Sequence, residues 1–105
     1  MVFRESKAFS HRAGELLSEE DFRLLQVSLL LKPDQGKVIP GGGGLRKMRW
    51  ALPGRGKSGG ARVIYFWFVA RSMIFLLAMY AKNEQEDLTA DQLKLLRKTV
   101  EAEFK

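Results

Sequence analysis

The sequence contains no cysteine and only one histidine, and these two shortages exclude several kinds of chemistry. Without cysteine there are no disulfides, thiolate metal sites or cysteine nucleophiles. The single histidine, His11, falls on a predicted helix far from the main basic cluster, which disfavours a histidine triad and a transition-metal site. We therefore expect no metal and no cofactor. A chain without cysteine also suits the reducing cytoplasm, where we expect this one to work.

Acidic residues are missing from the middle of the chain. No Asp or Glu occurs between Asp34 and Glu84, although that stretch carries half of the 18 Lys and Arg residues, and the net charge is +6. Two-metal and two-carboxylate hydrolysis both need clustered carboxylates, so neither is expected here. The excess of positive charge favours a polyanionic partner.

The sequence also lacks an uninterrupted hydrophobic run of membrane-spanning length. Residues 63–81 are almost wholly apolar, but Arg71 and Ser72 interrupt them at the centre, where a charge in lipid is costly. Their β-branched and aromatic residues predict two strands joined by a turn at residues 70–72. Residues 1–12 lack the apolar core of a signal peptide. We expect no membrane segment and one domain over residues 1–105.

Local signals predict three helices. Ser18 is typical of an N-cap, and the helix that it starts is predicted over residues 19–31. Residues 6–17 carry apolar positions at helical spacing, which predicts an earlier helix. Thr89 is the predicted N-cap of a last helix that runs to about residue 103.

The remaining periodic segments predict strands. A short strand is expected over residues 2–4, followed after the two helices by strands over 45–51, 61–69 and 73–80. The last two are apolar on both faces, so they are expected at the covered centre of a sheet. The prediction is an α+β fold in the order β-α-α-β-β-β-α, with a small antiparallel sheet of three or four strands.

The strongest candidate site is the basic strand. A period of two places Lys47 and Arg49 on one face and Arg46 on the other. Arg62 starts the next strand, so a hairpin would bring it near Lys47 and Arg49. Three converging cations repel one another, and a phosphate would offset that repulsion. The alternative is an ordinary solvated sheet face.

A glycine-rich loop follows this strand. Residues 51–58 match a relaxed phosphate-loop pattern that ends in Gly-Lys-Ser, but strand residues follow instead of a helix, so no nucleotide is expected. The loop would let Arg55 and Lys57 reach along a nucleic-acid backbone. It is equally compatible with a mobile basic hairpin loop.

A third candidate group leaves the last strand. Tyr80 and Lys82 share a face and could protonate a leaving oxygen or hold a phosphate. Alternatively, Tyr80 packs in the core and Lys82 pairs with Glu84 or Glu86.

Several of these segments together resemble the HigB-type branch of the RelE toxin family. The similarity runs in order through residues 30–36, 43–49, 54–60, 61–66 and 80–84. The resemblance implies a bacterial toxin that is held inactive by a cognate antitoxin, enters the decoding (A) site of the ribosome and cuts messenger RNA. It also implies an antiparallel sheet flanked by helices.

The resemblance implies roles for individual residues. Lys47 and Arg49 match basic positions that assist proton abstraction and charge stabilisation, Arg62 matches the family's strand-start arginine, and Lys82 falls near a further basic position. The C-terminal helix lacks the family's tyrosine, so Tyr80 is the available substitute, and the general acid stays open among Lys82, Tyr80 and an arginine. RNA contacts are expected from Arg46, Arg55 and Lys57.

The leading hypothesis from the sequence is a ribosome-dependent endoribonuclease that uses the 2′-hydroxyl of the RNA as nucleophile and no metal. Lys47 is a better base than Arg49, since arginine stays protonated. The alternatives are a gyrase-poisoning toxin of the related ParE group, which lacks the basic cluster, and a plain RNA-binding module. We expect the antitoxin to use acidic or apolar segments, to dock near the sheet and to cover its basic face.

Overall fold

The computed structural model describes residues 1–52 and 60–103. A short 3₁₀ turn, Val69–Arg71, joins two long strands. In chain order the helices and strands are β1 (Val2–Glu5), α1 (Lys7–Leu16), α2 (Glu19–Leu31), β2 (Lys37–Val38), β3 (Arg46–Trp50), β4 (Ala61–Phe68), β5 (Met73–Ala81) and α3 (Ala90–Glu103). The predicted loop residues Arg55 and Lys57 lie outside the described residues.

The strands form one sheet in the order β1-β5-β4-β3-β2. The α+β class, the two N-terminal helices and the C-terminal helix are confirmed. The sheet has five strands instead of three or four, and it is mixed, because β1 runs parallel to β5. The five strands and the parallel pairing could not be predicted from the sequence for two reasons. Strand β2 has only two residues, too few to alternate visibly, and the β1–β5 pairing joins segments about 70 residues apart.

The predicted helix starts are confirmed by their hydrogen bonds. The Ser18 side chain accepts from the backbone N–H of Asp21 at 3.1 Å. At the start of α3, Thr89 Oγ1 accepts from the Gln92 N–H, and Gln92 Oε1 accepts from the Thr89 N–H, which completes a capping box. Each such cap stabilises a helix by about 1 kcal/mol.

Helices lie on both faces of the sheet. Helices α1 and α2 pack on one face through Phe9, Leu25 and Leu29, whereas α3 packs on the other through Val100. Strands β4 and β5 lie between these layers, which explains why they are apolar on both sides. The apolar run 63–81 therefore belongs to the sheet, and no helix in the described ranges is long and apolar enough to cross a membrane.

Tyr65 fixes the connection between α2 and β2 over the sheet. Its hydroxyl donates to the Pro33 carbonyl at 2.7 Å and accepts from the Gly36 N–H at 2.9 Å. A Cβ at Gly36 would lie 2.8 Å from the Tyr65 ring, so only glycine fits without a shift. Burial raises the pKa of Tyr65. The connection between α2 and β2 places Lys37 at the edge of the sheet, beside β3.

Candidate functional site

The basic residues of β2, β3 and β4 face one another across the sheet. Arg49 lies directly opposite Arg62, and Lys47 lies opposite Lys37 on its other side. Lys47 is also opposite Ile64, whose side chain packs on the face that α3 covers. Lys47, Arg49 and Arg62 therefore project on the α3 side of the sheet, and the structure brings together the three cations that the hairpin argument expected.

These cations line an open groove of about 780 Å³. We call it the cationic groove. Its lining holds five cationic and two acidic side chains, with Gln35 and Met48 completing it; the charged residues are Lys37, Lys47, Arg49, Arg62, Lys82, Glu86 and Asp87. Lys37 was not a predicted site residue, because no strand was predicted at residues 37–38.

The two arginines of the groove differ in exposure. Arg49 is exposed, whereas Arg62 is 8% exposed and donates to the carbonyl of Ala61 at 3.3 Å. Neither forms an ion pair with a carboxylate in the described parts of the chain. Like charges directly opposite on neighbouring strands destabilise a sheet. An anion between Arg49 and Arg62 would relieve that repulsion, and phosphate matches the geometry of guanidinium groups.

Lys47 is paired with a carboxylate of the chain itself. Its Nζ lies 3.1 Å from Oδ1 of Asp87, and the same oxygen accepts from the backbone N–H of Leu88 at 2.9 Å. The hydrogen bond from Lys47, followed by that from Leu88, lowers the pKa of Asp87. Asp87 was missed by the sequence analysis, and its only signal was the acidic run that directly follows the last strand.

Several side-chain contacts hold the segment between β5 and α3, which contains Asp87. Glu84 Oε1 accepts from the Ala81 N–H at 3.0 Å and forms an ion pair with Arg12 of α1. The Gln85 side chain donates to the Asp87 carbonyl at 2.8 Å and to Gln92 Oε1 at 3.0 Å. Glu84 therefore pairs with Arg12, and within the described ranges Lys82 has no carboxylate partner. Lys82 is left facing the groove.

An irregularity in β5 decides where Tyr80 lies. Ile64 pairs with Ala78 and Tyr65 pairs with Leu76, so Leu77 is an extra residue that forms a bulge. Beyond the bulge Tyr80 lies opposite Arg62, with its side chain in the α3-side core. Bulges commonly redirect side chains beside functional sites.

The Tyr80 hydroxyl does not open into the groove. The residue is buried, and its Oη has no hydrogen-bond partner among the described residues. Burial, and then the charge of Asp87, raise the pKa of Tyr80, against a smaller opposite effect of Arg62. In this structure the Tyr80 hydroxyl therefore lies outside the groove, whereas Lys82 lines it.

Arg46 is not part of the groove. It lies on the α1–α2 face of the sheet, where its guanidinium donates to the carbonyls of Asp34 at 3.2 Å and Gly36 at 2.8 Å. It thus braces the same connection as Tyr65. His11 is exposed on α1, also on that face. In residues 1–52 and 60–103, no group of three or more His, Asp or Glu side chains is placed to hold a metal ion.

A helix-flanked sheet with an open cationic groove on one face defines a small α+β domain suited to binding a phosphate backbone. The family model of the RelE toxin of the RelE/RelB toxin–antitoxin system matches residues 30–105. The chain therefore belongs to the RelE toxin family. The match covers every residue of the cationic groove. The narrower HigB-type assignment stays a prediction.

Proposed function

We propose that this protein is a ribosome-dependent mRNA endoribonuclease of the HigB type, which inhibits translation and is restrained by a cognate antitoxin. One observation carries the proposal. In a chain of the RelE family, Arg49 and Arg62 face each other across two strands, with Lys47 beside them in an open groove. This arrangement provides converging positive charge at a place that a single strand of RNA can reach.

The arginines bind the phosphate at the cut. Arg62 is held by its packing, so its guanidinium is preorganised to meet two phosphate oxygens, as bidentate pairing requires. Arg49 is more exposed and approaches the phosphate from the neighbouring strand. Charge develops on the phosphate during the reaction, and fixed cations stabilise that charge in the transition state.

The chemistry is an internal displacement. The 2′-oxygen attacks the adjacent phosphorus, a 2′,3′-cyclic phosphate forms, and the bond from phosphorus to the 5′-oxygen breaks. The 2′ proton must leave and the 5′-oxygen must gain a proton. Lys82 lines the groove and supplies the second proton.

Lys47 has a role that depends on Asp87. While the two are paired, the Asp87 carboxylate occupies Lys47. After RNA has displaced Asp87, Lys47 releases its proton to solvent, and the neutral amine accepts the 2′ proton. The ammonium ion that results stabilises the negative phosphate. Because the groove offers few groups, the ribosome aligns the RNA for this reaction, and free RNA is cut poorly.

Expression in bacteria separates this proposal from its two rivals. After induction, transcript integrity, protein synthesis and DNA breakage are followed over the first minutes, with Arg62→Ala as the inactive comparison. Early cleavage of translated mRNA, lost in Arg62→Ala, supports the endoribonuclease. Gyrase-linked DNA breaks with intact transcripts would instead identify a ParE-like toxin. Inhibited translation with neither kind of damage would identify an RNA-binding module.

A further inference from the structure

Helix α2 is apolar on the side that faces solvent as well as on the side that faces the core. Leu25 and Leu29 are fully buried against the sheet. Four other aliphatic side chains of the helix are between 43% and 82% exposed: Leu24, Val27, Leu30 and Leu31. We call these four residues the outer α2 face.

Helical geometry places most of these exposed side chains on one side of α2. At about 100° per residue, Leu24, Val27 and Leu31 cluster on the side of the helix opposite to Leu25 and Leu29. A surface helix in water normally places polar residues there. An apolar helix side of this kind marks an interaction surface, because scattered exposed residues would not align.

The size and charge of the outer α2 face indicate what covers it. Four partly exposed aliphatic side chains make a patch on the order of a few hundred Å², whereas a stable dimer buries about 800 Å² per partner. Two copies of a chain with net charge +6 also repel each other. A second copy is therefore a poor occupant, and a longer partner of opposite charge is a better one.

We propose that the antitoxin docks on the outer α2 face with a segment that is apolar on one side and acidic at its flanks. The family pairs each toxin with an antitoxin, so a partner protein exists in the system. Arg23 is exposed on the same side of α2, where it forms a 3.6 Å ion pair with the exposed Glu20 that a partner carboxylate would have to replace, and Lys32 is exposed where the helix ends. Acidic flanks of the partner segment would pair with these two cations.

This position has a consequence for inhibition. Helix α2 packs on the face of the sheet opposite to α3, and the cationic groove lies on the α3 face. An antitoxin on the outer α2 face therefore leaves Lys47 and Arg49 uncovered, contrary to the expectation of docking near the basic sheet face. It would block entry into the ribosome by its bulk.

The test measures antitoxin binding, which does not depend on the nuclease proposal. The probe is the purified product of the reading frame next to the toxin gene, titrated against the wild-type chain, Leu31→Glu and Leu24→Glu. Leu95→Glu is the matched control, because Leu95 is also an exposed leucine but lies on α3. Circular dichroism checks that every variant folds.

We expect Leu31→Glu and Leu24→Glu to weaken binding at least tenfold, and Leu95→Glu to change it less than twofold. Acetylation of Lys47 should proceed equally in the free chain and in the complex. The proposal is overturned if the probe does not bind, if all three variants bind like wild type, or if the complex protects Lys47. It is also overturned if Leu31→Glu instead splits a dimer of the free chain, or abolishes binding to vesicles of phosphatidylcholine and phosphatidylglycerol.

Discussion

Lys47 Nζ lies 3.1 Å from Asp87 Oδ1, so the free protein holds one of its own carboxylates against a cation of the groove. The Lys47 side chain is 32% exposed and that of Asp87 is 69% exposed. An ion pair this exposed stabilises the fold by about 1 kcal/mol at most. Under the proposed function, an RNA phosphate would therefore replace Asp87 at Lys47 at little cost, and Asp87 would compete with RNA until that exchange occurs.

Removal of the Asp87 charge should strengthen RNA binding. In Asp87→Asn the amide oxygen can still accept from the Leu88 N–H, while the competing charge is gone. We expect the Kd for a short single-stranded RNA to fall by about two- to tenfold, with a steeper salt dependence. Glu86→Gln is the control, since Glu86 lines the same groove without pairing to Lys47. Equal effects of the two variants, or weaker binding by Asp87→Asn, would contradict competition.

The sequence predicted those features that depend on neighbours along the chain. Ser18 caps α2, whose bounds agree with the prediction, because capping involves residues only three positions apart. Lys47 and Arg49 share a face because alternation in a strand needs no tertiary information. The sequence also placed Arg62 near them, because adjacent strands were expected to form a hairpin, as β3 and β4 do.

Features that depend on distant contacts were missed. Lys47 and Asp87 are 40 residues apart, and Asp87 sits in an irregular connection whose path is set by side-chain hydrogen bonds. The bulge at Leu77 breaks the alternation of β5 without a glycine or proline to signal it. The hydrogen bonds that direct Arg46 to loop carbonyls likewise form only once the chain has folded.

Repulsion between Arg49 and Arg62 should be measurable as a coupling energy. Arg49→Ala and Arg62→Ala each remove the same repulsion, so the double variant gains from its loss only once. The change in unfolding free energy of the double variant should therefore be about 0.5 kcal/mol less favourable than the sum of the two single changes. Urea unfolding of the four proteins measures this, with Arg23→Ala paired with Arg62→Ala as an uncoupled control. Additive effects within error, or coupling of the opposite sign, would contradict the cross-strand repulsion.

The two tyrosines should respond in opposite ways to loss of the hydroxyl. Tyr65→Phe leaves the Pro33 carbonyl and the Gly36 N–H without their partner, so we expect a loss of about 1–3 kcal/mol in unfolding free energy. Tyr80→Phe removes a buried hydroxyl that has no described partner, so stability should be unchanged or about 1 kcal/mol higher. Toxicity should survive in folded Tyr80→Phe. A folded but inactive variant would show that this hydroxyl reaches the substrate.

Stability should also fall at alkaline pH because of both tyrosines. Burial raises the pKa of Tyr65 and of Tyr80, so folding favours their neutral forms. The stability that this preference contributes is complete below the unfolded pKa of about 10 and is lost as the pH rises through the folded value. Unfolding free energies measured from pH 8 to pH 11 should therefore decline more steeply for wild type than for Tyr80→Phe. Identical slopes would contradict burial of the Tyr80 hydroxyl as the cause.

Cleavage of mRNA on programmed ribosomes tests the central claim most directly. EDTA-washed protein is added to ribosomes with enough magnesium to keep them intact, and the cut ends are analysed, with Arg62→Ala run in parallel. We predict 5′-hydroxyl and 2′,3′-cyclic or 3′-phosphate ends, no cleavage by Arg62→Ala, and no cleavage when the nucleotide at the cut carries a 2′-deoxy sugar. Products with 5′-phosphate ends, or undiminished cleavage of the 2′-deoxy substrate, would contradict the account.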